Sequence, residues 1–248
     1  MRYWAECGSF LREYRRHIRA TGALLPSSRF LAGALVSELK KPRAPYRILE
    51  VGPGTGSVTR QLVRYLISGD HVDAVEINGQ FVELLSRRFD QEWAFRRWRQ
   101  QLHLIHGAVE DLRGDGSYDF IISGLPLNNF PGAQVRDIFK VYNRLLKPGG
   151  TLTYYEYVLI RKVMAPFVNR RERRRLYRVG RVVGGYIRSY QIGKKPILIN
   201  VPPAIVRTLR LKPKLAAVGL LEPRRDTTST GLDFSLQDTP RRTTSVIL

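Results

Sequence analysis

Apolar and polar positions alternate between two periods along the middle of the chain. A short apolar run over 47–51 carries Glu50 and leads into three alternate glycines, Gly52, Gly54 and Gly56. Behind Ser57, Val58, Leu62, Val63 and Leu66 recur at helical spacing, so the pattern predicts strand, tight turn and helix over 47–68. The same reading predicts strands at 71–76, 102–106, 118–123 and 150–157, and helices at 79–89 and 132–146. Lys147-Pro148-Gly149-Gly150 predicts a helix stop and turn before the fifth strand. Strands alternating with helices predict an α/β fold with a doubly wound, mostly parallel sheet. Such sheets bind ligands beyond the carboxyl ends of their strands. Glu50, Glu76 and the loops 107–111 and 123–128 fall there.

The flanks read differently. Over 3–19, Trp4, Cys7, Leu11, Tyr14 and Ile18 share one helical face, and Arg12, Arg15, Arg16 and Arg19 fill much of the rest. A basic face edged with Trp and Tyr suits the lipid headgroup region, although a helix packed on the core with solvated arginines has the same pattern. Pro26 breaks the run, and Ser27 or Ser28 can cap a helix reaching Glu38. Over 161–190, Arg170, Arg171, Arg173, Arg174, Arg175, Arg178 and Arg181 crowd together with interleaved tyrosines. Like charges so close repel, and a basic helical insertion with an anionic partner is expected. A final strand pair is expected over 197–210, around Asn200-Val201-Pro202-Pro203, and a flexible tail over 222–248. The expected organisation is therefore an N-terminal amphipathic helix and loop (1–30), one domain (31–221) and the tail.

Charge sharpens the choice of partner. Forty-two Lys and Arg against 21 Asp and Glu give +21 over 248 residues. Nucleic acid and anionic membrane both match such an excess. The single cysteine excludes an internal disulfide, and His17, His71, His103 and His106 show no metal spacing, so no metal is expected. No apolar run approaches the ~20 residues of a membrane span, and no apolar signal region follows Met1. The expectation is a cytoplasmic protein resting on the inner face of the membrane.

The spacing Glu50-x-Gly52-x-Gly54-x-Gly56, with a second acid at Glu76, closely resembles motif I of class I S-adenosylmethionine (AdoMet) methyltransferases. Three more stretches narrow the resemblance: Ala20-Thr-Gly-Ala-Leu-Leu-Pro-Ser-Ser-Arg29, Ser123-Gly-Leu-Pro-Leu127 and Asn200-Val-Pro-Pro-Ala204. Together they resemble the bacterial phospholipid N-methyltransferases, relatives of the ornithine lipid N-methyltransferases. The resemblance implies a Rossmann-like seven-stranded fold, AdoMet as cofactor and S-adenosylhomocysteine as product. It implies that Glu50, Gly52, Gly54 and Gly56 form the cofactor pocket, with Ser123 beside them. Ser27 and Ser28 would lie over the methionine moiety, Glu76 would accept from the ribose hydroxyls and Ile77 would pack on adenine. In Gly107-Ala108-Val109-Glu110, Ala108 departs from the common Gly-Asp, and Glu110 either contacts the adenine amine or is a simple helix-start acid.

Base-methylating relatives carry Asn or Asp followed by Pro-Pro-Tyr or Leu-Pro-Tyr where this chain has Ser123 and Gly124. A flexible primary amine is the expected acceptor, with Gly124 leaving room for it and Ser123, Tyr154 and Tyr155 as candidate catalytic groups; the tyrosines read equally well as core. Trp4, Tyr14, Arg29, Leu125, Arg178 and Arg181 are candidate substrate- or membrane-binding residues. The expected reaction takes phosphatidylethanolamine to its mono-, di- and trimethylated forms. The alternatives are methylation of an ornithine lipid, methylation of ribosomal RNA adenine, and a non-catalytic membrane-binding protein. An anionic membrane and an amine-bearing lipid are the expected partners, nucleic acid is not, and the chain is expected to be a monomer.

Overall fold

A computed structural model describes residues 29–127, 130–157, 170–200 and 203–211, without the side chains of 170–176. The N-terminal helix with Trp4 and Tyr14, the Ser27–Ser28 cap and the 222–248 tail lie outside the described residues.

Seven strands form one sheet in the order β3-β2-β1-β4-β5-β7-β6. They are β1 (Arg47–Val51), β2 (His71–Glu76), β3 (Leu102–His106), β4 (Tyr118–Ser123), β5 (Leu146–Tyr157), β6 (Gln191–Ile197) and β7 (Ala204–Leu209). Neighbours from β3 to β5 pair in parallel, and only β7 runs against them, paired antiparallel to β5 and β6. β1 is central and buried at all but its first residue because both of its faces are covered. Ile48 packs on one side with Leu31, Leu62, Leu85 and Phe89. Leu49 and Val51 pack on the other with Ile121, Phe139, Tyr142, Val179 and Val183.

The helices cover these two faces. α1 (Arg29–Leu35), α2 (Ser57–Leu62), α3 (Gly79–Gln91) and the short α4 (Trp93–Arg96) supply the first layer. α5 (Gly132–Leu145) and α6 (Arg170–Tyr190) supply the second. α6 is the basic insertion expected between the fifth and sixth strands. Among the described residues no helix is long and apolar enough to cross a membrane.

Several boundaries differ from the sequence expectation. The first long helix stops at Leu62 and continues as turns. The helix expected to reach Glu38 ends at Leu35, and a 3-10 turn, Ser37–Lys40, follows. α4 was not expected, because Phe95, its ring tilted against Phe89 at 5.2 Å, is its one buried residue. β5 begins at Leu146 and takes in the Lys-Pro-Gly-Gly turn, which the sheet accommodates by a register shift opposite Tyr118 and Phe120. β6 lies earlier than the expected 197–210 pair. It is an edge strand, where Lys194, Lys195 and Pro196 need only one hydrogen-bonding side.

One buried ion pair ties the entry of β1 to the turn before β2. Arg43 donates to both Asp70 carboxylate oxygens at 2.6 Å, and the Tyr46 and Ile67 amides donate to the same group at 2.7 and 2.9 Å. Burial alone would raise the Asp70 pKa, but these four donors outweigh it and hold it below the ordinary carboxylate range. A lowered pKa gives stability that is present above the unfolded-state value, about 4, and lost as pH falls through the folded one. Asp70→Asn should therefore lower the unfolding free energy at pH 7 by about 3–5 kcal/mol in urea titrations, and the gap to the parent should close below about pH 4. A deficit of about 1 kcal/mol or less, the size of a surface pair, would show that the pair does not anchor this corner.

Candidate active site

The turn after β1 is built from backbone. Gly52, Gly54 and Gly56 all adopt positive φ, at 68°, 60° and 81°. A side chain at Gly52 would come within 2.8 Å of Leu125, and one at Gly56 within 2.7 Å of Leu85. The backbone angle therefore demands glycine, and any side chain there would also have to displace the end of a leucine. The turn is pinned from three sides. The Gly52 amide donates to the Val75 carbonyl at 2.9 Å, the Gly124 amide to the Val51 carbonyl at 2.8 Å, and the Gly54 amide to Glu76 Oε2 at 3.0 Å. β2, β4 and the glycine turn thus meet at the carboxyl edge, beside the switch point between β1 and β4.

The two acids that sequence picked out stand here in different states. Glu76 is buried, its Oε1 accepting from the Asn78 amide at 3.0 Å and its Oε2 from Gly54. Glu50 is also buried, and neither of its oxygens has a hydrogen-bond partner among the described residues. Burial raises its pKa to about 7; the Glu76 charge adds to this, and nearby Thr59 offsets part of it without completing a hydrogen bond. An orphaned, buried carboxylate beside an open glycine turn is suited to receive a cationic amine.

A cavity opens next to this turn, lined by Gly52, Glu76, Ile77, Gly107, Ala108, Val109, Glu110 and Leu125. Seven sequence-chosen cofactor residues, with Leu125, thus line one space. Val51, Val75, Phe130, Gln134 and Ile138 line it too and were not anticipated. Gln134 and Ile138 stand one helical turn apart on α5, a spacing that marks a shared face. Burial holds the Glu110 carboxyl above its ordinary range, with Asp111 and Asp137 adding to the effect. The cavity is narrow, about 40 Å³. Leu125 lies over Gly52, so a nucleoside enters only when the cavity-lining side chains turn aside.

The candidate catalytic groups are placed otherwise. Ser123 is fully buried, and its Oγ accepts from the Tyr142 hydroxyl at 2.8 Å, a positioning contact that the sequence did not reveal. The space that glycine leaves at 124 is filled by backbone: a Cβ there would stand 2.7 Å from the Gly52 carbonyl oxygen. That glycine lets β4 close on the β1 turn, and the room is not left for a headgroup. Tyr154 and Tyr155 lie on opposite faces of β5 and line neither wall of the cavity. Tyr154 packs edge-on against Phe139 and donates to Glu156 at 3.0 Å; Tyr155 packs on Tyr157 at 5.1 Å. Arg29 begins α1 with its guanidinium 4.9 Å from the Phe30 ring centre. Arg178 and Arg181 face a separate groove across α5. At the same carboxyl edge, the end of β6 leads to Leu198 and Ile199, 76% and 67% exposed, behind exposed Lys194 and Lys195.

A seven-stranded sheet with its seventh strand reversed, a glycine turn on the first strand and acids ending the first two define a class I AdoMet-dependent methyltransferase. Comparison with known proteins agrees. A methyltransferase-domain family matches residues 48–150. An ornithine lipid N-methyltransferase of Singulisphaera acidiphila is 32% identical over 148 residues, 57% of this chain and 73% of that protein. A ribosomal RNA small subunit methyltransferase A of Synechococcus is 33% identical over 98 residues, 40% of this chain and 31% of that one. Among solved structures, Burkholderia thailandensis 1,6-didemethyltoxoflavin-N1-methyltransferase, with S-adenosylhomocysteine bound, shares the fold at a TM-score of 0.57 and 15% identity, over 84% of this chain and 90% of that one. The chain belongs to the family of AdoMet-dependent lipid N-methyltransferases that includes the first of these relatives. Its cofactor is AdoMet, and the orphaned Glu50 and the bare turn at Gly52 fit that group.

We propose that Glu50 pairs with the ammonium of the cofactor, and on that reading cofactor binding depends on pH. A carboxyl with pKa about 7 must lose its proton before it can pair with an ammonium. AdoMet affinity should rise as pH climbs from 5.5 toward 7 and level off above, with proton release visible by calorimetry in buffers of different ionisation enthalpy. Glu50→Gln should abolish this rise and weaken binding, while stabilising the cofactor-free protein at pH 8 by about 1–3 kcal/mol. Flat affinity across the range would remove Glu50 from cofactor binding.

Proposed function

We propose that this enzyme methylates the amine of a lipid headgroup at the membrane surface. The observation that carries this is the similarity to a lipid N-methyltransferase over 73% of that relative, joined to a cofactor turn complete in both acids and all three glycines. The acceptor loop supports it: between Ser123 and Leu127 there is no side-chain amide and no aromatic ring of the kind that grips a planar base. Phosphatidylethanolamine is the acceptor implied by the sequence resemblance. An ornithine lipid is the second reading, favoured by the relative's own activity.

Bound AdoMet supplies a methyl carbon on a positively charged sulfur. A neutral acceptor amine would take that methyl group with its lone pair, leaving the cofactor as the neutral thioether and giving up one proton to solvent. The protein's part is to hold the amine neutral and in line. Leu125, in the loop after β4 and lying over Gly52, gives apolar surface that disfavours an ammonium and lowers its pKa. The rigid joint of Gly52 and Gly124 fixes where the methyl is presented. The exposed pair Leu198 and Ile199, at the edge of the sheet that carries the cofactor turn, suits insertion among headgroups, with Lys194 and Lys195 meeting anionic phosphates.

Labelled AdoMet offered with phosphatidylethanolamine vesicles, ornithine-lipid vesicles and ribosomal RNA should place label in one of the lipids. Label only in RNA would overturn the reading. Leu198→Asp with Ile199→Asp should reduce co-sedimentation with vesicles about tenfold or more and leave AdoMet affinity unchanged; unaltered sedimentation would exclude this tip from the membrane contact.

A further inference from the structure

A groove of about 780 Å³ runs between α5 and the second half of α6. Arg136 enters it from α5, and Arg178 and Arg181 from α6. On α6 the lining positions 178, 181, 182, 185, 186 and 189 recur at steps of three and four, so they form one stripe. The neighbouring stripe, Val179 and Val183, is buried in the core, and Tyr186 stacks on Phe139 at 4.4 Å. The helix is thus anchored by one face while the arginine face is left to the groove.

None of these three arginines forms a salt bridge or hydrogen bond with a described residue. Asp137, the acid beside Arg136, is paired with Lys140 at 3.2 Å, and the first turn of α5 carries no acid. Gly185 keeps the floor open. A Cβ there would meet no atom within 4 Å, so packing does not require glycine at this point of a long helix, where it is a poor helix former.

The groove is distinct from the cofactor cavity. Gln134 and Ile138 face the cavity, whereas Ala133 and Arg136 face the groove, with α5 between them. An α-helix with its side chains is about 10 Å across. An amine-bearing headgroup carries its own anionic group only a few bonds from the reacting nitrogen, too near to reach across that width. Beyond the guanidiniums, toward the amino edge of the sheet, the groove is lined by Val182, Tyr186 and Tyr190. Arg178 lies against Gly132, where α5 leaves the carboxyl edge of the sheet, the same edge as Leu198 and Ile199.

We infer that this groove binds the phosphate of an anionic phospholipid other than the molecule being methylated, and that it holds the enzyme on the membrane through that second lipid. The inference rests on the lipid reading given above. It assigns to Arg178 and Arg181 a role apart from the reacting headgroup, and it adds Arg136 to them.

The test compares the full chain with three variants on phosphatidylcholine vesicles with and without phosphatidylglycerol. Arg136→Gln with Arg181→Gln should weaken binding to the anionic vesicles about thirtyfold, from a roughly fivefold loss at each of two surface arginines near anionic lipid. Arg87→Gln with Arg113→Gln removes the same charge from exposed positions elsewhere and should cost far less. Gly185→Leu keeps every charge, favours the helix and fills the groove, and it should also weaken binding to anionic vesicles. AdoMet affinity should be the same in all variants. Equal losses in the two arginine pairs, or no loss with Gly185→Leu, would overturn the groove and leave only diffuse charge. So would loss of RNA binding in place of vesicle binding. Methyl transfer to amine lipid in neutral detergent micelles, measured in parallel, separates this from the broader reading. Transfer there with no groove effect on vesicles sinks the groove alone, and no transfer to any lipid sinks the function on which it rests.

Discussion

The structure depends on how closely three backbones approach at the carboxyl edge of the sheet. The β1 turn has to pass between the ends of β2 and β4 and bond to both, and it does so through Gly52, Gly54 and Gly124. Any side chain at Gly52 or Gly124 would push a strand end or Leu125 aside. The cost of that closeness is low because glycine accepts the positive φ angles without strain. Its result is a ledge of bare peptide flanked by two buried carboxylates, one satisfied and one not.

Much of this edge was legible in the sequence because it is local. Three glycines at alternate positions, an acid before them and another about 20 residues later are set by one turn and two strands. The opposite wall was harder. Phe130, just before α5, and Gln134 and Ile138 on it reach the cavity only because α5 packs on the sheet with a particular rotation, which no short spacing reveals on its own. Ser123 was found, but its partner Tyr142 lies 19 residues on, a contact made by tertiary packing. The reading of Gly124 as room for substrate failed for a related reason: a glycine in sequence does not say what fills the space beside it. Tyr154 and Tyr155 show the limit of composition, since aromatic residues ending a strand beside a site belong as readily to the core. β6 was placed late because an edge strand of Gly, Lys and Pro lacks the alternation that marks a strand with a buried face.

The charge excess is unevenly handled. On the side of the first helical layer several arginines are committed: Arg43 to Asp70, Arg88 and Arg60 to Glu92, Arg99 to Asp90. Glu92 is held below its ordinary range chiefly by its hydrogen bond to Arg88. Across the sheet, Arg136, Arg178 and Arg181 are without such partners among the described residues. The groove between α5 and α6 thus gathers three cations that no described acid pairs with, while Arg144 on the same α5 is paired with Asp115.

α5 is the element that the cavity and the groove share. Its inner side closes the cofactor cavity with Gln134 and Ile138, and its outer side carries Arg136 into the basic groove. A rigid helix cannot shift for one neighbour and stay still for the other. If occupancy of the groove favours a slightly different seat for α5, the affinity for the cofactor changes, and thermodynamic reciprocity requires the cofactor to change the groove's affinity by the same factor. The enzyme would then let go of its product and of the bilayer with related probabilities, and its residence on a surface would carry information about whether it is loaded.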